Sequence, residues 1–480
     1  IVFDHHYAGS MPCIPARREM MTGRHNFLEA AWGPIEPWDD CLPVLLRHAR
    51  GTYSHMITDH YHYFHSGGEA YHTLFDSWEL QRGQEGDRWR PLVSDVSPPN
   101  GVRGKAAGRS SYWKNESLRD KENDLDYSGP QCFAQAIEFL KHNRDADNWH
   151  LHLEVFDPHE PFDCPAKYHE LYQDDWDDYF YTWPDYAPLD PEKDTPEAVE
   201  HIKKSYAATL TMNDHWLGRF LDTMDAYDLW NDVSVVFTAD HGFLLGEHGY
   251  WAKDYTMAYE ELAHTPLIVC PAGGPSAAAP AANARGEEVA LRRVDALTAA
   301  IDIMPTIMDM HGVESPRSVH GSSLLPLLTG TAGSHHDAVL FGTFGMDINM
   351  TDGRYTYCRQ PLPGSVAYHH TGMPRNFHDF YDRDLLRSAE VGVFLDHCCG
   401  VPHFRFGYPS KPHVDAPDFN PIYDLDVDPR QEHPIQDSEL ERRLAQVMRQ
   451  KMMEAGAPIS QYQRVGLEPP KGSSRPATER

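Results

Sequence analysis

The feature that most constrains the fold is a series of short apolar runs that end in clusters of histidine, aspartate or proline. Helical patterns lie between these runs, the clearest over residues 198–230. Strands that alternate with helices predict a largely parallel sheet with helices on both faces. In such a sheet, functional side chains gather at the carboxyl ends of the strands. Four runs fit this pattern: residues 52–64, 150–161, 232–242 and 264–274.

Shifts in composition divide the chain into parts. An Ala/Pro/Gly-rich stretch over residues 271–285 predicts a surface loop, and residues 329–336 resemble a linker. Beyond the linker, an Asp352-Gly353 turn between two β-prone runs predicts a hairpin, and a helix is predicted over 438–455. We therefore predict a first domain over 1–334, a smaller α+β subdomain with an antiparallel sheet over 335–467, and a flexible tail over 468–480.

Charge and cysteine content exclude several classes of protein. The net charge is −30, from 42 basic and 72 acidic residues, and no long basic tract offsets it. Nucleic acid is therefore not an expected partner, because phosphate binding needs clustered Lys and Arg. No apolar run approaches the ~18 residues that span a membrane. The eight cysteines show no CxxC pair or framework spacing, which argues against a zinc ribbon or a disulfide-stapled domain.

The segment CIPARREMMTGR, residues 13–24, places a cysteine just before a proline and an arginine. Pro15 suits the first turn of a helix and Gly23 suits its end, so Cys13 is predicted at a helix N-terminus. Free N–H groups and the helix dipole attract anions there, and Arg17 adds a forked cation one turn later. From these residues alone, Cys13 is an ordinary buried thiol, a nucleophilic thiol, or the precursor of another group.

Polar residues after two later runs are candidate site residues. Asp240 and His241 directly follow a buried run, where a carboxylate and an imidazole can face one metal ion, although the pair can equally cap a helix. Lys253 lies on the loop beyond and alone would be a solvated lysine. His159 follows another predicted strand, and a single histidine there is more often structural than catalytic.

Two histidines after the first run form a further candidate. His60 and His62 occupy alternate positions, and such positions share one face of a strand, so both side chains are predicted to point to one site. A histidine cluster raises the possibility of zinc, but no cysteine spacing supports a zinc site. The chain also has 30 histidines, which makes chance clustering common.

Taken together, these motifs resemble the type I sulfatases of the alkaline phosphatase superfamily. The signature CIPARREMMTGR is followed in the family's order by the His60-His62 pair, PHEP, TADHG and GEHGYWAK. The later segments HGSSLLPLLTG (320–330) and PIYDLDVDPRQEHPI (421–435) extend the resemblance over nearly the whole chain. It implies an alkaline-phosphatase-like α/β fold, in which a large, mostly parallel mixed sheet is sandwiched by helices.

The resemblance also implies an activity, the hydrolysis of a sulfuric ester of a sugar or an aryl alcohol. Cys13 would be converted to formylglycine by a transiently bound formylglycine-generating enzyme, for which Pro15 and Arg17 belong to the recognition code. Asp240, His241 and the modified Cys13 would hold a divalent cation, with Ca²⁺ expected ahead of Mg²⁺ or Mn²⁺.

The family assigns further roles by position. Arg17 would support the modified residue, and His62 would be the base in the second half of the reaction. His159 and Lys253 would bind sulfate and protonate the leaving oxygen, and His60 would also contact the substrate.

Two departures from the family keep other functions open. Many sulfatases have lysine at the position of His60, so a phosphonate monoester or phosphodiester hydrolase of the same superfamily is an alternative. Family members also begin with a strand that ends in paired metal-binding aspartates, which IVFDHHYAGS does not match. We therefore expect a chain that lacks its first strand and half of its metal site, and a non-catalytic homologue is the second alternative. The specific ester and the oligomeric state stay open, and the cytoplasm is the favoured compartment.

Overall fold

The computed structural model describes residues 1–65, 68, 70–273, 292–375 and 380–470. Most of the loop predicted over 271–285 and of the tail predicted over 468–480 lies outside these residues. The strands are β1 (Val2–Tyr7), β2 (Ser10–Met11), β3 (Tyr53–Thr58), β4 (Ser77–Leu80), β5 (Trp149–Leu153), β6 (Val235–Thr238), β7 (Leu244–Leu245), β8 (Trp251–Ala252), β9 (Leu267–Cys270), β10 (Arg293–Ala299), β11 (Val339–Thr343), β12 (Ile348–Thr351), β13 (Tyr355–Arg359), β14 (Val366–Thr371), β15 (Glu390–Gly392), β16 (His403–Pro409) and β17 (Ile422–Asp424). The helices are α1 (Cys13–Thr22), α2 (Leu42–Arg50), α3 (Ser110–Ser117), α4 (Ser128–Asn143), α5 (Ala166–His169), α6 (Pro196–Ala226), α7 (Glu260–Ala263), α8 (Ile303–Met310), α9 (Leu325–Leu328), α10 (Arg383–Ser388), α11 (Ser438–Glu454) and α12 (Ile459–Arg464).

All four predicted apolar runs contain a strand, and these strands lie in two sheets. In the first sheet, β3 pairs in parallel with β4 and β5. In the second sheet, of order β10-β1-β9-β6, β1 is parallel to β10 and β9 is antiparallel to both neighbours. The α/β fold with mixed sheets is thus confirmed. The two sheets end at β5 and β6, and no backbone pairing within the described ranges joins those edges.

A layer of two helices holds the sheets together. Thr195 caps the N-terminus of helix α6. The Thr195 hydroxyl accepts a hydrogen bond from the N–H of Ala198 at 3.3 Å. The buried residues of α6 recur at three- and four-residue spacing, which is the pattern of an amphipathic helix. With α4, this face forms one core over Ile57 of β3, Leu151 of β5 and Val235 of β6. The buried positions of α6 include Ile202, Ser205, Thr209, Met212, Trp216, Phe220 and Met224.

The residues after 335 build a five-stranded sheet of order β17-β13-β12-β11-β2. The predicted hairpin is confirmed, because β12 and β13 pair antiparallel around Gly353, whose φ of 89° suits glycine. The last strand of this sheet, β2, directly precedes Cys13 and pairs in parallel with β11. The late part of the chain therefore supports the segment that carries the signature. The domain boundary at 334/335 stays a prediction.

The search for membrane spans found none in the described part of the chain, since no helix there combines the necessary length and apolar character.

Candidate active site

Cys13 is the first residue of α1 and its side chain is 5% exposed. The helix ends at Gly23, whose φ of 63° allows the left-handed cap, so both ends of α1 lie where Pro15 and Gly23 predicted them. Glu19 fixes the turn before the helix, because its carboxylate accepts hydrogen bonds from the N–H of Ser10, at 2.6 Å, and from the Ser10 hydroxyl. The turn before Cys13 is thus anchored by the buried side chain of Glu19, six residues further along the chain.

The Arg17 guanidinium joins the ends of two strands. Its Nε donates to Glu154, the residue after β5, and its Nη1 donates to Asp240, two residues after β6. Nη1 also donates to the carbonyl oxygen of Cys13 at 3.1 Å. One buried cation therefore links the edges of the two sheets and the N-terminus of α1, and such charge-assisted hydrogen bonds are the strong ones.

Asp240 and His241 both face Cys13. The Nδ1 of His241 lies 2.8 Å from the carbonyl oxygen of Gly242, which directs Nε2 to within 3.4 Å of the Cys13 sulfur. Burial alone would raise the pKa of Asp240, but the charges of His241 and Arg17 lower it instead. Burial lowers the pKa of His241 to about 4. At neutral pH the pair is therefore a carboxylate and a neutral imidazole, the forms that bind metal ions.

Lys253 reaches the same sulfur from the turn after β8. Its Nζ lies 3.5 Å from the Cys13 Sγ, and the lysine is 4% exposed. Burial alone would lower the pKa of Lys253, but Cys13 and Glu160 raise it. Burial raises the pKa of the Cys13 thiol to about 12, in spite of the lysine. At neutral pH the lysine is charged and the thiol is not ionised.

His159 lies beyond β5 against two carboxylates. Its Nδ1 is 2.6 Å from the Glu160 carbonyl oxygen, 3.2 Å from Oε2 of Glu160 and 3.4 Å from Oε1 of Glu85. A contact this short with a carbonyl requires a proton on Nδ1, so Nε2 of the neutral ring is an acceptor. Burial and the Lys253 charge lower the pKa of His159 well below its ordinary value.

The prediction that His60 and His62 lie on one face of a strand was wrong. Strand β3 ends at Thr58, and His62 lies in a short 3₁₀ turn over Tyr61–Phe64, because Thr58 accepts a hydrogen bond from the N–H of His60 and starts a turn. The two rings still lie side by side, with centroids 4.9 Å apart. His62 Nε2 is 3.7 Å from Oε2 of Glu85. His60 is fully buried, and its ring nitrogens have no hydrogen-bond partner among the described residues.

Several residues of the site were not predicted as site residues. Glu154 was missed, although it directly follows a predicted parallel strand, where polar residues are expected. Glu160, which lies in the PHEP segment, contacts two further residues: the Tyr186 hydroxyl donates to it at 2.7 Å, and Lys105 Nζ lies 3.8 Å from it and 3.0 Å from the centre of the Tyr186 ring. Lys105 comes from a short 3₁₀ turn and Tyr186 from a loop, where spacing predicts nothing about contacts.

Three side chains of the site can hold a metal ion. The donor atoms of Cys13, Asp240 and His241 lie within 4.8 Å of one another. A carboxylate and an imidazole suit a divalent cation, and an oxygen in place of the Cys13 sulfur would suit a hard ion better. Ca²⁺ takes six to eight oxygen ligands, so these side chains supply only part of its shell.

Comparison with known proteins gives the relatives of this chain. The family description "Sulfatase" matches residues 1–313. The chain is 28% identical over 243 residues to a multifunctional alkaline phosphatase superfamily protein of Trinickia caryophylli, covering 42% of each chain. It is 27% identical over 206 residues to an arylsulfatase of Clostridium perfringens, covering 40% of each. The structure of a phosphonate monoester hydrolase of Agrobacterium radiobacter superposes with a TM-score of 0.60 at 17% identity, covering 95% of this chain and 88% of that one.

These matches identify the fold and the family of the chain. The superposition shows that the chain shares its fold with this phosphonate monoester hydrolase. The match over residues 1–313 shows that the chain belongs to the sulfatase family. The matched region spans about two fifths of the length of the two curated relatives named above.

Proposed function

We propose that this protein hydrolyses an organic sulfate ester and that its nucleophile is formylglycine made from Cys13. The observation that carries the proposal is the environment of Cys13. The thiol contacts His241 and Lys253, and burial raises its pKa to about 12. A nucleophilic cysteine needs a lowered pKa, because the thiolate is the reactive form. The surroundings therefore favour an interpretation in which the sulfur is replaced before the enzyme acts.

The first half of the reaction forms a covalent ester. In its hydrated formylglycine form, residue Cys13 carries two hydroxyl groups, and the oxygen of one attacks the sulfur of the substrate. The bond between that sulfur and the ester oxygen breaks, and its electron pair stays on the leaving alcohol. Lys253 is charged at neutral pH and lies beside the nucleophile, so it donates a proton to the leaving oxygen and regains one from the attacking hydroxyl.

The second half releases sulfate without attack of water on sulfur. The remaining hydroxyl loses its proton to a base, the bond from carbon to the sulfate oxygen breaks, and the aldehyde forms again. His62 is the base that the family position implies, and the ring of His60 lies beside it. Addition of water restores the hydrate, so one ester and one water give one alcohol and one hydrogen sulfate.

A divalent cation would be held by Asp240, His241 and the oxygens on the modified Cys13, and we expect Ca²⁺ ahead of Mg²⁺ or Mn²⁺. When bound, the ion supplies positive charge that offsets the negative charge on the sulfate oxygens. Arg17 keeps the Asp240 carboxylate ionised and oriented toward this position.

Phosphonate monoester or phosphodiester hydrolysis is the second candidate function. The observation in its favour is His60: burial and the nearby Arg17 lower its pKa well below the ordinary value. A neutral imidazole at this position provides less positive charge for sulfate than a lysine does. We favour the sulfate ester of a sugar or an aryl alcohol as substrate, since Lys253 and Arg17 still supply two buried cations.

The experiment combines a mass measurement with two substrates. The protein is produced together with a formylglycine-generating enzyme, and the peptide containing Cys13 is weighed. Loss of the thiol sulfur and gain of an aldehyde oxygen are expected, together with turnover of nitrophenyl sulfate that exceeds turnover of a phenylphosphonate ester. The variant Cys13→Ala should be inactive, and Cys41→Ala, a buried cysteine outside the site, should keep the activity. An unmodified thiol in an active enzyme would contradict the proposal, and a preference for the phosphonate would favour the second candidate.

A further inference from the structure

A second cluster of metal-binding side chains lies where the segment after residue 334 meets α8. Asp302, the residue before α8, is fully buried, and its carboxylate faces two consecutive histidines. The Nε2 of His336 lies 2.9 Å from both carboxylate oxygens, and the Nε2 of His335 lies 3.3 Å from Oδ1. Three donor atoms thus converge within 4.8 Å of one another.

The buried carboxylate has no lysine or arginine partner in the described part of the chain. Its ion pairs there are with His335 and His336 alone. The backbone N–H groups of Ala299 and Ser322 each donate to it at 2.9 Å, which fixes its orientation. A buried carboxylate requires a positive partner, which protonated histidines or a metal ion can provide.

The spacing of the donor atoms suits a metal ion. With ligands at roughly 2.0–2.1 Å in a tetrahedral shell, neighbouring donor atoms lie about 3.3 Å apart. The two distances here, 2.9 and 3.3 Å, are close to that value. A third cluster, Asp347, Cys358 and His413, does not fit as well, because His413 Nδ1 and the Asp347 carboxylate lie 2.5 Å apart, the distance of a strong hydrogen bond.

A third histidine lies next to the cluster. His6 of β1 is fully buried, and it interacts electrostatically with Asp302 and His336. Its Nδ1 pairs with the Thr298 hydroxyl at 3.0 Å, but its Nε2 has no hydrogen-bond partner among the described residues. Buried polar atoms without partners are rare in proteins, so this nitrogen points to a missing ligand.

We propose that Asp302, His335 and His336 form a second metal site that binds Zn²⁺, with water completing the shell beside His6. Two imidazole nitrogens and one carboxylate oxygen are ligands that zinc prefers, whereas a Ca²⁺ shell of six to eight ligands consists mainly of oxygens. The site is separate from the proposed active site and does not depend on the proposed function.

The bound ion would connect two parts of the fold, the segment before β11 and the start of α8. His336 lies three residues before β11, and its N–H also donates to the Leu297 carbonyl of β10 at 3.2 Å. Strand β11 pairs with β2, directly before Cys13, while α8 packs against α1. The zinc site therefore fixes the start of β11 to α8, which packs against helix α1 of the signature segment.

The test uses the full chain with the variant Asp240→Asn, which removes a donor from the other candidate metal site. Zinc is titrated against a coloured chelator, and Co²⁺ is added separately as a spectroscopic probe. We expect about one equivalent of zinc, the visible bands of tetrahedral cobalt, and a melting temperature about 3 °C higher with saturating zinc.

The control is the same chain with His335→Gln and His336→Gln. Glutamine keeps an N–H donor for Asp302 but is a poor zinc ligand, so folding should survive while zinc affinity falls at least 100-fold. Equal zinc affinity in both proteins would overturn the proposal. If the glutamine variant does not fold, the cobalt spectrum of the Asp240→Asn chain decides alone, and the absence of tetrahedral bands would overturn the proposal.

Discussion

The Cys13 sulfur lies 3.5 Å from the Lys253 nitrogen, although 240 residues separate the two in the chain. The lysine is placed by a tight turn, in which its neighbours Ala252 and Asp254 have φ values of 70° and 80°. Such values are costly for residues other than glycine and persist where the surroundings enforce them. The fold thus maintains an unfavourable backbone to bring one cation to the N-terminus of α1.

The charge state of this lysine gives a first prediction. Lys253→Met should lower kcat/KM by about 10²–10⁴-fold, because it removes the proton donor. The loss should grow as the pKa of the leaving alcohol rises, which a series of aryl sulfates would measure. His159→Asn should lower kcat/KM by a factor that hardly depends on the leaving group, since His159 carries its proton on the nitrogen that faces Glu160. The opposite pattern would make His159 the acid. Lys203→Met, at a half-exposed ion pair with Glu247, is the control.

Two adjacent arginines of α1 provide a matched pair for the second prediction. Arg17→Lys should lower kcat by about 10²–10³-fold, because one ammonium group cannot hold Glu154 and Asp240 together. Arg18 instead binds both oxygens of Asp39, at 2.7 and 3.0 Å. Arg18→Lys should lower the melting temperature and leave the kcat of the folded protein unchanged. Equal losses of kcat in the two variants would contradict the role given to Arg17.

The third prediction concerns the turn before Cys13. A Cβ at Gly9 would lie 1.9 Å from Oε1 of Glu19, the residue that anchors this turn. Gly9→Ala should therefore destabilise the protein by about 2 kcal/mol or more, since the buried carboxylate has to move. Gly218→Ala is the control, because Gly218 lies inside α6 with open space at its Cβ, and alanine there should stabilise by about 1 kcal/mol. Thermal unfolding of both variants checks the contrast.

The fourth prediction is a pH dependence of stability that arises far from the signature. Burial raises the pKa of Glu36 from 4.5 to about 7, although its Oε2 accepts a hydrogen bond from the N–H of Gly372 at 2.8 Å. The folded state therefore holds a proton that the unfolded state releases, and this contribution to stability is complete below pH 4.5 and is lost as the pH rises through 7.

The variant Glu36→Gln imitates the protonated side chain. At pH 8 it should be more stable than the natural protein by on the order of 2 kcal/mol, and at pH 4.5 the two should be equal. Glu170→Gln, at an exposed position, should change neither value. Denaturant unfolding at both pH values measures the difference, and an equal gain at both would exclude protonation as its cause.

Local patterns in the sequence predicted the features that depend on neighbours in the chain. Pro15 and Gly23 predicted the ends of α1, and the Asp352-Gly353 pair predicted the hairpin, because helix caps and tight turns are decided within a few residues. The apolar runs predicted strands, and the order of the polar clusters after them predicted which side chains would share one edge of the sheet. That Asp240 and His241 lie beside Cys13 was implied instead by the resemblance to the sulfatases.

Only the tertiary structure decided which distant groups touch. His60 and His62 lie in a turn rather than on β3, because the Thr58 hydroxyl ends the strand early. The partners Glu154 and Glu160 come from segments whose approach depends on how α4 and α6 pack over both sheets. The sequence determines where the chain can turn and which faces are apolar. Which buried charges meet depends on the packing of the whole core, and so do the charge states of Cys13 and Lys253, because burial and neighbouring charges set their pKa values.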